Sequence, residues 1–311
     1  MNALKKEKEL TGELLVFGSS VLNAVFPIVI NSGGRVLPPI LFAAISNLIP
    51  AMFLFFYLFF TNNLKSLFNK KSLFYLLNIA VFVVILPLLF IFIGTTHTSG
   101  INTGIFLNTE IIFAFIICRI VLKEKFVLRK ILGAAVITLG AFVVLYNGHL
   151  AFNIGDLLII AGTAFYPIGN IFGKKALEFL KPCQILFARS LIGGSVLLSI
   201  SFIFEKSFTM PAEMLILNYK YILINAILIF LVSKLLWYYG LKLVDVVKAT
   251  SIIIATPAFS LIFAYVFLHE IPSIYQLLGC ILIIIGLIVS SVMFKKINKY
   301  LTKNSSLLKN C

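Results

Sequence analysis

The chain states its second quarter twice. FAFIICRIVLKEKFVLRKILGAAVITLGAFVVL starts at Phe113, and FSLIFAYVFLHEIPSIYQLLGCILIIIGLIVSS starts at Phe259. At one fixed offset Leu122 meets Leu268, Glu124 meets Glu270, Gly133 meets Gly279 and Gly140 meets Gly286. An offset that does not slip over so long a span marks an internal duplication. The period is too long for a solenoid and fits the two halves of a membrane transporter.

Composition says which solvent the halves fold in. The chain has 311 residues, of which 61% are hydrophobic and 12% charged, against about 25% charged in a soluble domain. A soluble fold could not hide that much apolar surface, so lipid surrounds most of the chain. The net charge of +15 does not point to nucleic acid, because the basic residues form short clusters between apolar runs and no basic domain face. The four cysteines (Cys118, Cys183, Cys280, Cys311) show no CxxC and no metal spacing, and read as small apolar fillers or an inert tail thiol. No metal and no cofactor is expected.

Apolar runs long enough to cross roughly 30 Å of hydrocarbon lie near 14–30, 38–60, 72–94, 97–118, 128–146, 155–173, 182–204, 218–241, 246–268 and 273–294. The acids Glu7, Glu9 and Glu13 argue that the first run is a retained helix and not a cleaved leader. The expected fold is therefore all-α and integral to the membrane, with ten transmembrane helices. Residues 1–12 form a head, 13–148 and 149–294 two five-helix repeats, and 295–311 a basic tail.

Lysine and arginine give the direction. With the N-terminus in the cytoplasm, the inner ends hold nearly all the basic residues, while the outer loops hold only Arg35, Lys206 and Lys220. That alternation supports the helix count and places both termini inside. Five helices is an odd number, so the two repeats face opposite ways. KEKFVLRK in the first copy is basic and inside, and HEIPS in the second has no Lys or Arg and is outside. Inverted repeats around a central cavity are the architecture of alternating-access carriers.

The L-K-E unit at Leu122–Glu124 and the L-H-E unit at Leu268–Glu270, each followed by a helix with paired glycines, make the chain resemble the drug/metabolite transporter superfamily, specifically its EamA-type exporters. The resemblance covers nearly the whole chain. It implies a ten-helix basket with a central cavity, both termini inside, and export or exchange of small metabolites such as amino acids.

Charged groups inside a membrane helix cost several kcal/mol and mark function by default. Glu110, Arg189 and Lys234 are the clear cases. At roughly 1.5 Å rise per residue they sit at a similar depth from one side and share one layer. At helical spacing, Thr103, Phe106 and Glu110 fall on one stripe, Thr163, Tyr166 and Asn170 on another, and Lys234, Trp237 and Tyr238 on a third. Asn23 precedes Pro27 on the first helix. These groups are expected to line a cavity that binds a small zwitterion or anion. Arg189 would take a carboxylate and Lys234 would add a positive charge. Glu110 would receive an ammonium group or carry a proton, and aromatic walls would supply apolar or cation–π contacts. A second reading has Glu110 simply neutralising Arg189 or Lys234. Glu124 and Glu270 read as capping or gate-closing groups, and Gly133, Gly140, Gly279 and Gly286 as structural partners of those ends. Copy two does not repeat the acid, since Thr256 stands where Glu110 would recur.

Three classes compete. A secondary carrier explains the inverted repeat, the polar stripes and the lack of a nucleotide-binding motif. A membrane enzyme acting on lipids would need clustered acids, histidines or metal ligands, and neither HExxH nor DxxD is present. A non-transporting assembly or receptor protein would leave the intramembrane charges without a purpose. The carrier is the reading adopted, with a small-molecule substrate and the bilayer as its partners. The richness in Lys, Asn, Ile and Phe fits an AT-rich bacterial genome, and so an inner (plasma) membrane location.

Overall fold

The computed structural model describes residues 2–110, 112–114, 116–117, 128–146, 153–209, 211–243 and 256–290, and among these there is no strand. The first span is α1 (Asn2–Ala24) and α2 (Phe26–Gly34), broken at Val25 with Pro27 in the first turn of α2. Proline lacks the N–H that would continue the ladder, so the chain bends there. Next come α3 (Pro39–Phe60) and α4 (Lys70–Ile79), a π-helical stretch over Ala80–Ile85, and α5 (Leu86–Thr95). α6 (Gly100–Phe106) tightens into a 3-10 turn over Leu107–Thr109, and α7 (Leu128–Tyr146) ends the first half.

The second half repeats the order. α8 (Ile154–Thr163) and α9 (Tyr166–Ala176) form one bent span, followed by α10 (Pro182–Phe204) and the short α11 (Ala212–Leu217). α12 (Tyr219–Leu223), a π-helical stretch over Ile224–Ser233 and α13 (Lys234–Leu243) form the next. α14 (Thr256–Leu268) and α15 (Ile274–Ser290) complete it. Six described spans are long and apolar enough to cross a membrane, with shorter apolar helices beside them.

The π-helical stretches fall at equivalent places in the two halves. In the first, Pro87 follows directly and its missing N–H accounts for the widened turn. In the second, Ile224–Ser233 contains no proline, yet the widened turn persists. Val84, from the first stretch, packs on α10 where Gly193 leaves room for its methyl group.

Packing follows a pseudo-two-fold. α3 lies along α10, α1 along α13, α5 along α8, and α7 along α15. The close approaches are made at glycines and occur in symmetric pairs. A Cβ on Gly140 would stand 2.7 Å from the Gly279 carbonyl oxygen, and a Cβ on Gly286 would stand 2.7 Å from that of Gly133. Likewise Gly94 meets Gly155, and Gly240 meets Gly12. The first span runs toward the end of the bundle that holds Gly34, Thr95 and His97, and its counterpart α8–α9 runs away from it. The repeats are inverted. That end is called the His97 end below, and the opposite one, with Thr61 and Lys181, the Lys181 end.

Large apolar side chains such as Phe53, Phe56, Phe59, Phe142, Ile262 and Phe267 are exposed around the outside. In water they would form an aggregating belt. In a bilayer they face acyl chains.

Candidate functional site

Five spans bring polar side chains to the middle of the bundle. α1 supplies Asn23, and the turn after the Leu107–Thr109 segment supplies Glu110. α9 supplies Tyr166 and Asn170, α10 supplies Arg189, and α13 supplies Lys234, Trp237 and Tyr238. Both halves contribute. Asn170 Nδ2 donates to Glu110 Oε1 at 2.9 Å. Lys234 Nζ donates to Asn23 Oδ1 at 3.1 Å. The Lys234 ammonium attracts Glu110 and is repelled by Arg189, so the three charges lie within Coulombic reach of Lys234. Tyr166 stands within reach of both Glu110 and Arg189.

Exposure shows that the layer is not a sealed network. Asn170, near the Lys181 end of its span, is exposed, and Glu110, Tyr166, Lys234, Trp237 and Tyr238 are partly exposed. Gly173, one turn beyond Asn170 toward the Lys181 end, has open space where a Cβ would point. Arg189 differs from the rest. It is 6% exposed, and its Nε has no hydrogen-bond partner.

Three of the expected lining residues, Thr103, Phe106 and Thr163, are core residues. Thr103 and Phe106 are both 0% exposed. Thr103 shares a hydrogen bond with Thr95 Oγ1 at 2.9 Å and donates to the Ser99 carbonyl at 2.9 Å. Phe106 packs with Ile101, Ile105, Ile137 and Ile283. The stripe reading assumed one unbroken helix at about 100° per residue, but the 3-10 turn over Leu107–Thr109 advances about 120° per residue. Three such residues rotate Glu110 by roughly 60° relative to the face that holds Thr103 and Phe106. Thr163 is likewise buried against Thr109, at 3.0 Å.

Polar groups tie the His97 end together, several of them across the two halves. Glu270 accepts the backbone N–H groups of Gly100 at 3.0 Å and Ile101 at 2.9 Å, capping α6. A carboxylate at a helix N-terminus satisfies orphan donors and meets the positive end of the helix dipole. Asn31 donates to the Thr95 and Thr98 carbonyls at 2.8 and 2.9 Å. Sequence reasoning missed Asp156, which is 4% exposed. It accepts from Thr98 Oγ1 and from Asn102 Nδ2, while Gln276 Nε2 donates to Asn102 Oδ1 at 2.7 Å. Its position in the first turn of α8, behind the Asn153 cap, makes it look like an ordinary helix-start acid. Glu124, the counterpart of Glu270, lies outside the described residues.

An open groove of about 450 Å³ runs beside α13, lined by Leu15, Val232, Leu235, Leu236, Tyr239 and Leu243. Its walls are apolar, so it suits an acyl chain and not a polar solute.

The sequence matches the model of the EamA-like transporter family twice, over residues 10–146 and 153–292. This chain belongs to the EamA-like transporter family. It is 27% identical over 212 residues to an uncharacterized transporter of Methanothermobacter thermautotrophicus, covering 66% of this chain and 60% of that relative. The matched stretch thus spans less than two thirds of the archaeal protein's length. It is 25% identical over 267 residues to the uncharacterized transporter YoaV of Bacillus subtilis, covering 84% of this chain and 89% of that one. A solved crystal structure superposes with a TM-score of 0.67 at 16% identity, covering 92% of this chain and 98% of the other. At that identity the likeness speaks for the fold alone.

Proposed function

We propose that the chain is a secondary exporter or exchanger of a small zwitterionic or anionic metabolite, working by alternating access. The two halves, 13–148 and 149–294, rock about the charged layer. The His97 end faces outward and both termini lie in the cytoplasm of a bacterial inner membrane. The observation that carries this reading is Arg189, a buried cation whose Nε lacks a partner, set among the partly exposed polar groups of the layer. A buried charge is strongly unfavourable unless something pairs with it, and a guanidinium presents a planar fork suited to a carboxylate. Lys234 adds a second cation. Tyr166, Trp237 and Tyr238 supply walls for the apolar part of the solute. The polar closure at the His97 end and the open space at Gly173 support a state that faces the cytoplasm.

The test is Arg189→Ala, reconstituted in liposomes and assayed for efflux of carboxylate-bearing metabolites. Loss of flux by a variant that folds supports the reading. Wild-type flux by that variant would sink it. The competing role, in which Glu110 only neutralises its neighbours, predicts a variant that fails to fold.

A further inference from the structure

The charges of the central layer do not balance, and their arrangement says by how much. Two cations, Arg189 and Lys234, face one acid, Glu110, among the described residues. Lys234 already has its partners: its Nζ donates a hydrogen bond to Asn23 Oδ1 at 3.1 Å, and Glu110 attracts it. Glu110 has its own: Asn170 donates to it at 2.9 Å and Lys234 stands in its field. Those two groups attract one another, with an amide on each side. Arg189 is left over. It repels Lys234, its Nε is unsatisfied, and no carboxylate among the described residues pairs with it. The other two orphaned buried side-chain atoms among the described residues, Ser190 Oγ and Asn225 Oδ1, are neutral and belong to residues that are 0% exposed. Among the described residues only Arg189 combines an orphaned buried donor with a charge.

We infer that the cavity selects a solute of net charge −1, a monocarboxylate without a free ammonium group, seated on Arg189. This rests on the reading of the cavity as a substrate site, and it narrows that reading. A zwitterion would leave the layer's single positive charge uncompensated. It would also need Glu110 to release Lys234 in order to hold the ammonium. A dianion would overcompensate. A monoanion closes the balance and leaves the Glu110–Lys234 pair undisturbed. Electroneutral filling of a low-dielectric site is favoured because an unpaired charge loses its hydration without repayment by a counter-charge.

The chain has a single tryptophan, Trp237, one turn from Lys234, so its fluorescence reports the layer directly. The experiment titrates the purified full-length protein in nanodiscs with four solutes that share one branched hydrocarbon skeleton. They are 2-hydroxy-4-methylpentanoate (−1), leucine (0), isoamylamine (+1) and 2-isobutylmalonate (−2). The expected result is a Kd for the hydroxy acid at least tenfold below those of the other three. Arg189→Gln should weaken the hydroxy acid at least tenfold. Glu110→Gln, which leaves two uncompensated cations, should move the preference toward 2-isobutylmalonate at least fivefold. Leucine binding as tightly as the hydroxy acid, and losing affinity in Arg189→Gln, would overturn the charge assignment but leave the carboxylate-carrier reading standing. An unchanged ranking in Glu110→Gln would also overturn the charge assignment. Binding of none of the four at 10-mM-scale concentrations, or binding indifferent to Arg189, would overturn both. The wild-type ranking decides by itself where a variant does not fold.

Discussion

Gly140 and Gly279 touch backbone to backbone where α7 crosses α15, so that a Cβ on either would stand 2.7 Å from the other's carbonyl oxygen. Their images under the internal two-fold, Gly286 and Gly133, meet in the same way. Backbone atoms cannot swing aside as a flexible side-chain tip can. Gly140→Leu or Gly279→Leu must therefore separate the two helices, an overpacking of roughly 1–3 kcal/mol or more. Both variants should melt well below wild type in detergent. Gly173→Ala makes the contrast. Nothing lies within 4 Å of its Cβ position, and replacing a helical glycine with alanine stabilises by about 0.4–1 kcal/mol, so its melting temperature should hold or rise.

The paired glycines were legible because a duplication displays the same spacing twice. Helix number, inversion and the family followed from hydropathy, charge alternation and the two helix–loop–helix units. The face of each helix was harder to read. Glu110 stood out as an acid inside an apolar run, but its neighbours on the supposed stripe, Thr103 and Phe106, are core residues. A single 3-10 turn at Leu107–Thr109 breaks the periodicity on which the stripe depended, and no local residue pattern announces such a turn. Asp156 was illegible for the opposite reason. Its position suggests a solvated helix start, and only the tertiary approach of Thr98 and Asn102 buries it.

That difference between core and cavity gives a second prediction. Phe106→Ala removes a fully buried ring from a packed cluster and should cost about 3–5 kcal/mol of stability. Solute preference among folded molecules should be unaltered. Tyr238→Ala, at a partly exposed position beside the layer, should do the reverse, weakening solute binding with little change in melting temperature. A Phe106→Ala protein that melts like wild type but binds weakly would show that the ring faces the cavity after all.

The Glu270 cap predicts a conformational effect. Glu270→Ala strips acceptors from the Gly100 and Ile101 N–H groups at a cost of about 1–3 kcal/mol. That cost falls only on the state in which α6 meets the loop after α14. The variant should populate states open at the His97 end. A cysteine placed at Ser99, the N-cap of α6, should then react faster with a membrane-impermeant thiol reagent than the same cysteine in the wild-type background. Equal reaction rates would show that the cap serves helix stability and not closure.

Asp156 binds the same end through a different pair of donors, and its variants should rank by what they leave unpaired. Asp156→Ala removes the acceptor for both Thr98 Oγ1 and Asn102 Nδ2, and stranding buried donors costs about 1–3 kcal/mol. Asp156→Asn keeps one oxygen for the Thr98 hydroxyl but turns an amide donor toward the Asn102 amide, which is itself held by Gln276 at 2.7 Å. One bond survives and one becomes a donor–donor contact. The expected order of melting temperature is wild type, then Asp156→Asn, then Asp156→Ala. Adding Asn102→Asp to Asp156→Asn turns an acceptor toward the new amide and should recover part of the loss. Equal melting temperatures for all four proteins would mean that the carboxylate contributes nothing to closure, and Asp156 would then have to be counted among the groups that meet solute.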